Sequence, residues 1–192
     1  MDIIYIHGFN SSPASFKARL LRDELARRYP EFGFIAPALP PSPADAAALL
    51  DELVKSHAQS TLIGSSLGGY YATWLAERHG LRAVLLNPAV EPYALLAGAV
   101  GRQKNLYTGE EYDFKPSYLD EMRALEVGSI TAQRYLLIVA TADEVLDYRR
   151  AVARNTGARQ IVIDGGDHGL SNFYNYVGDV IGFCGGATSH TA

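Results

Sequence analysis

Cysteine is nearly absent: Cys184 is the only one among 192 residues, so the chain cannot form an internal disulfide. That suits a reducing compartment, and a cytoplasmic location is expected. A lone cysteine can be a nucleophile. Here Ile181 and Phe183 stand close by, near the end of a helical-looking segment, and a packed thiol is the expectation. Runs of Lys and Arg are also missing. Seventeen basic residues are scattered among 21 acidic ones, for a net charge of −4. Phosphate binding needs a concentrated basic surface, so this argues against nucleic acid as a main partner. No apolar run approaches the ~20 residues that span a bilayer. The opening residues, MDIIYIHGFNSS, lack a basic segment followed by a long apolar one, and no secretory signal is expected.

What is present is ordinary for a globular domain: 48% hydrophobic and 20% charged residues. A chain of this length buries roughly 70% of its unfolded surface, enough to need no metal or disulfide for stability. Short apolar runs occur at 2–7, 32–39, 60–65, 82–88, 134–141 and 158–164. Most are continuous rather than alternating, the pattern of strands covered on both faces. Helical patterns lie between them at 14–29, from Ser42–Pro43 onward, and at 67–79, 145–156 and 170–183. Alternating strands and helices predict a doubly wound, mostly parallel six-stranded α/β sheet in three αβα layers. Residues 1–184 read as one domain and the small, polar stretch 185–192 as a disordered tail. Residues 98–130 hold no clear strand and interleave polar residues with Tyr107, Tyr112, Phe114 and Tyr118. They read either as a small lid or as a surface excursion, and the two readings stand level.

Chemistry gathers at the carboxyl ends of strands in such a sheet. After the third strand stands Gly64-Ser65-Ser66-Leu67-Gly68. This is the G-x-S-x-G pattern of a nucleophile elbow, and only Ser66 has glycine at both ±2. A serine hydroxyl needs a base. Of five histidines, His57 and His79 end helices and His190 is in the tail. His7 ends the first strand, and His168 follows the last one in "DGGDHGL". His168 is the expected base. The imidazole in turn needs an orienting carboxylate. Asp143 falls first after the strand "RYLLIVAT". Glu144 and Asp147 are rivals, with Asp147 placed inside the following helix and Asp143 itself a candidate cap for that helix. The order Ser66, Asp143, His168 is the chain order of α/β-hydrolases. Oxyanion donors are expected at the backbone N–H of Leu67 and of Phe9, with Asn10 as the alternative to Phe9.

The segments "YIHGFNSSPASFKA", "LIGSSLGGYYATWLAE", "LLNPAVEPY", "NLYTGEEY", "TADEVLDY" and "GGDHGL" together resemble the YqiA/YcfP-like esterases, small relatives of the α/β-hydrolases. The likeness runs from the first strand to the loop of His168. It implies an esterase or thioesterase acting on a small-molecule acyl ester or thioester through Ser66, Asp143 and His168. That chemistry requires no metal or organic cofactor. Two other readings stay open: acyl transfer to an acceptor other than water, and a binding module on a hydrolase fold.

Overall fold

The structure, a computed structural model, describes residues 1–185. The expected tail, beyond Gly185, and His190 with it, lie outside the described residues. In chain order the elements are β1 (Asp2–Ile6), α1 (Phe16–Arg28), β2 (Gly33–Ile35), α2 (Pro43–Ser56), β3 (Thr61–Ser65), α3 (Leu67–His79), β4 (Arg82–Leu86), α4 (Pro92–Leu95), β5 (Gly101–Lys104), β6 (Glu111–Phe114), α5 (Ser117–Arg123), β7 (Tyr135–Ala140), α6 (Tyr148–Arg154), β8 (Arg159–Ile163) and α7 (Val177–Phe183). Among the described residues, no helix is long and apolar enough to cross a membrane.

Six strands pair in the order β2-β1-β3-β4-β7-β8, and every pair is parallel. The continuous apolar runs explain this. TLIGS and YLLIVA are buried along their whole length, so each needs cover on both faces. Successive side chains point to opposite faces. Ile4, Ile6, Leu62 and Leu137 pack with Leu50 and Val54 of α2 and Leu75 of α3. Ile3, Tyr5, Ile63 and Leu136 pack with Leu21 and Leu25 of α1 and Val180 of α7. Truncating any of these leucines to alanine costs about 2–5 kcal/mol. The layers are therefore helix, sheet, helix, as the sequence predicts.

Boundaries follow local chemistry. Ser42 caps α2 by accepting from Asp45 N at 3.2 Å, and Gly80 ends α3 in the left-handed region at φ 72°. Pro37 follows close on β2 and keeps it to three residues. Two expectations need correction. The helix expected at 170–183 is a 3₁₀ turn, Phe173–Tyr176, followed by α7; Leu170 sits at φ 51°, where a right-handed helix cannot begin. Residues 98–130 do contain strands. β5 and β6 form an antiparallel hairpin, with Gly101 opposite Phe114 and Lys104 opposite Glu111. Their sequences, GRQK and EYDF, are mostly polar, so hydrophobic periodicity gives little signal for them.

Candidate active site

The turn from β3 to α3 carries Ser66. Its backbone stands at φ 54°, ψ −120°, a conformation that non-glycine residues rarely adopt. Backbone contacts hold it there. Ser66 N donates to Leu86 O at 3.0 Å, while Ser66 O accepts from Gly69 N at 2.9 Å and Ala89 N at 3.1 Å. The bracketing glycines are required by close approach. A Cβ at Gly64 would stand 2.3 Å from Gly68 O, and one at Gly68 would stand 1.9 Å from Ile6 O. The turn thus lies directly against β1, and its hydroxyl is directed out from the sheet edge.

Two other loops meet it. Ser66 Oγ lies 3.0 Å from His168 Nε2, and His168 Nδ1 lies 2.8 Å from Asp143 Oδ2. A carboxylate only accepts, so Nδ1 carries the proton and Nε2 of the neutral ring is left to accept from the hydroxyl. The Asp143 side chain is 1% exposed and that of His168 22%. The carboxylate is therefore shielded while the imidazole remains accessible. Burial pushes the Asp143 carboxyl upward, but hydrogen bonds from His168 and from the Leu146 and Val145 amides outweigh it and hold its pKa below the usual value.

The turn around Asp143 differs from expectation. α6 begins at Tyr148, and its cap is Asp147, which accepts from Arg149 N at 3.1 Å. Asp147 is therefore at the helix start, not inside it. Asp143 is not that helix's cap. Its Oδ1 accepts from Val145 N and Leu146 N, each at 2.8 Å, closing a tight turn that leaves Oδ2 for the imidazole.

The loop of His168 has no regular structure, and side chains from elsewhere satisfy its backbone. Asn87, just after β4, donates Nδ2 to Asp167 O at 3.0 Å and His168 O at 3.1 Å. Its Oδ1 accepts from Ala140 N at 2.9 Å. Lys17 Nζ donates to Gly169 O at 2.6 Å, and His168 N donates to Glu144 at 3.0 Å. Glu144, a rival for the orienting role, thus holds the backbone of the histidine rather than its ring. Asn87 and Lys17 were missed in the sequence. Asn87 had a signal: it ends β4, at the same edge and between the strands that carry Ser66 and Asp143. Lys17 had none, lying in a helix beside ordinary surface charges.

The loop after β1 supplies the other wall. A Cβ at Gly8 would stand 3.1 Å from Ser66 Cβ, so Gly8 lies directly against the serine. Leu67 opens α3, where backbone N–H groups lack partners within the helix. His7 accepts from Leu39 N through Nε2 at 3.3 Å and contacts Gly8 O through Nδ1 at 3.0 Å. Burial lowers its pKa. Both contacts tie the ring to backbone around this loop. Asn10, at φ 51°, is tied to the β5–β6 hairpin: its Oδ1 accepts from Tyr112 OH at 2.6 Å and its Nδ2 donates to Gln103 at 3.2 Å. Phe9 packs edge-on against Phe114, with ring centroids 5.4 Å apart. The hairpin is thus fastened to the loop beside the serine. Elsewhere, His57 pairs with Asp2 and His79 with Asp51, remote from this edge. Cys184 is buried, which pushes its thiol up to about 12, as a packed thiol requires.

This sheet order, with a strained serine after the third strand, defines an α/β-hydrolase fold. Solved structures agree. Est1E from Butyrivibrio proteoclasticus with ferulic acid bound superposes with a TM-score of 0.74 at 14% identity, covering 94% of this chain and 86% of that one. Mouse alpha/beta hydrolase domain-containing protein 10 gives 0.71 at 16% identity, covering 94% and 89%. Within that class, the model of the "Uncharacterised protein family (UPF0227)" matches residues 2–185, and the chain belongs to this family. A UPF0227 protein of Vibrio parahaemolyticus is 29% identical over 154 residues, 76% of this chain and 77% of the relative. One of Yersinia enterocolitica is 27% identical over 154 residues, 77% and 78%. The YqiA/YcfP resemblance read from the motifs is this same family.

Proposed function

We propose that the chain is a serine esterase or thioesterase working through an acyl-enzyme. The observation that carries this reading is the unbroken hydrogen-bonded line from Ser66 Oγ through the His168 ring to Asp143. Ser66 Oγ attacks the acyl carbonyl as His168 Nε2 takes its proton. Asp143 holds the ring and stabilises the imidazolium. The developing oxyanion is received by the Leu67 and Phe9 N–H groups, each contributing ~3 kcal/mol. The C–O or C–S bond breaks, and the leaving alcohol or thiol takes the proton from His168. Water, deprotonated by His168, then attacks the acyl-enzyme, releases the acid and restores Ser66. None of these steps calls on a cofactor.

A cleft on the Leu67 side is lined by Phe9, Leu39, Pro40, Tyr71 and Phe114, with His7, Asn10 and Glu110 also on its wall. We assign it to the acyl group. The 98–130 segment covers it through Phe114 and serves as a small fixed lid. Hydrolysis of p-nitrophenyl acyl esters of rising chain length tests the reading. The expected result is turnover that depends on chain length in the wild type and is lost in Ser66→Ala. Equal turnover by wild type and Ser66→Ala contradicts it.

A further inference from the structure

A second cavity opens on the other side of Gly8. Its walls are the start of α1, the loop after β1 and the residues following His168. Hydroxyls line it, from Tyr5, Ser11, Ser15, Ser65 and Ser171, and Lys17 is its only charged side chain. Tyr107, half exposed at the tip of the β5–β6 hairpin, forms part of its rim. Gly8 and Gly169 belong to its wall, so it adjoins both Ser66 and His168.

Two buried polar groups in this cavity are under-satisfied. Lys17 is 9% exposed. An ammonium has three donors, yet among the described residues Lys17 Nζ makes one hydrogen bond, to Gly169 O, and no ion pair within 4 Å. Ser15, 6% exposed, has its side chain within reach of the Tyr5 hydroxyl, but its Oγ makes no well-formed hydrogen bond. A buried charge is costly unless paired, and buried polar groups almost always find partners. Burial draws the Lys17 ammonium down to about 8, against the pull of Asp167 and Asp143. A ligand oxygen carrying negative charge would satisfy the free donors and offset that cost.

We propose that this cavity is a leaving-group subsite for esters whose alcohol or thiol part carries an anionic group, with Lys17 as its charge and Ser15 as a further donor. The acyl part then lies on the Leu67 side of Ser66 and the anionic part on the Lys17 side. The inference rests on the esterase reading above.

Acetyl esters of 4-hydroxyphenylacetate and of 4-hydroxyphenylacetamide differ in the leaving group mainly by charge. The wild type is expected to favour the acid over the amide by roughly tenfold in kcat/KM, as one charge-assisted hydrogen bond allows. Lys17→Met brings the ratio to about one, and Lys17→Arg keeps it above one. A wild-type ratio near one overturns the subsite. So does a Lys17→Met enzyme that loses both activities equally, because that is the signature of a tether to Gly169 and nothing more. Thermal unfolding with the two free phenols reads binding without turnover. The acid alone raises Tm, and Lys17→Met abolishes the shift. Equal shifts from both phenols, or an acid shift that survives Lys17→Met, overturn the subsite. Failure to turn over either ester, with the acid-specific Tm shift intact, counts against the esterase reading and leaves the anion site standing.

Discussion

The elbow at Ser66 and the loop at His168 hold their residues by opposite means. Backbone holds the elbow: Ser66 N and O are bonded to main-chain groups of neighbouring segments, and the glycines let β3, α3 and β1 touch. Side chains from the residue after β4, from α1 and from the turn after β7 hold the loop. A serine on a backbone-built turn tolerates almost no change in residue size, and the glycines that permit the turn fall within five consecutive positions. A histidine on a side-chain-built loop tolerates more, and its support is scattered over more than a hundred positions.

Substitutions on the two sides should fail differently. The largest effect is expected from Gly68→Ala, whose Cβ meets the Ile6 carbonyl and the His7 backbone. Overpacking typically costs ~1–3 kcal/mol and more where the clash is with backbone, and chemical denaturation should show a strongly destabilised variant. Next comes Asp143→Asn, which keeps an acceptor for the Val145 and Leu146 amides but loses the carboxylate on the imidazole. A fall in kcat of about 10⁴ is expected, with the fold retained by circular dichroism.

Asp143 also carries a pH signature. Its folded pKa is depressed, so its contribution to stability is complete above the ordinary aspartate range. That contribution is lost as pH falls through the lower folded value. The stability gap between wild type and Asp143→Asn, read by denaturant titration, should therefore be widest near neutral pH and close in strong acid.

Asn87→Ala breaks three bonds at once and leaves Ala140 N unpaired in a buried place. A drop of about 10² in kcat is expected from misplacing His168, with ~1–3 kcal/mol of stability lost. The smallest effect belongs to Glu144→Gln, which retains an acceptor for His168 N at an exposed position. Less than about tenfold in kcat is expected, with KM unmoved. If Glu144→Gln proved as damaging as Asp143→Asn, the division between ring orientation and backbone support would be wrong.

The same contrast explains what the sequence disclosed. Gly64, Ser66 and Gly68 were legible because the constraint is local and glycine has few other reasons to recur at that spacing. Asp143 and His168 were legible because each follows an apolar run that reads as a strand of the sheet. The β5–β6 hairpin was invisible because its strands are short and mostly polar, and its tie to Asn10 is made by polar side chains. Lys17 was invisible for a related reason. Its meaning lies in a carbonyl 152 residues away, and nothing in FKARLLRDE marks that one cation as buried.

The most direct test of Ser66 as an activated nucleophile is the intact mass of the protein after exposure to a fluorophosphonate, with wild type and Ser66→Ala side by side. One adduct on the wild type and none on Ser66→Ala is the predicted result. No adduct on the wild type, or an adduct that persists in Ser66→Ala, would contradict the assignment of Ser66, His168 and Asp143 to acyl transfer.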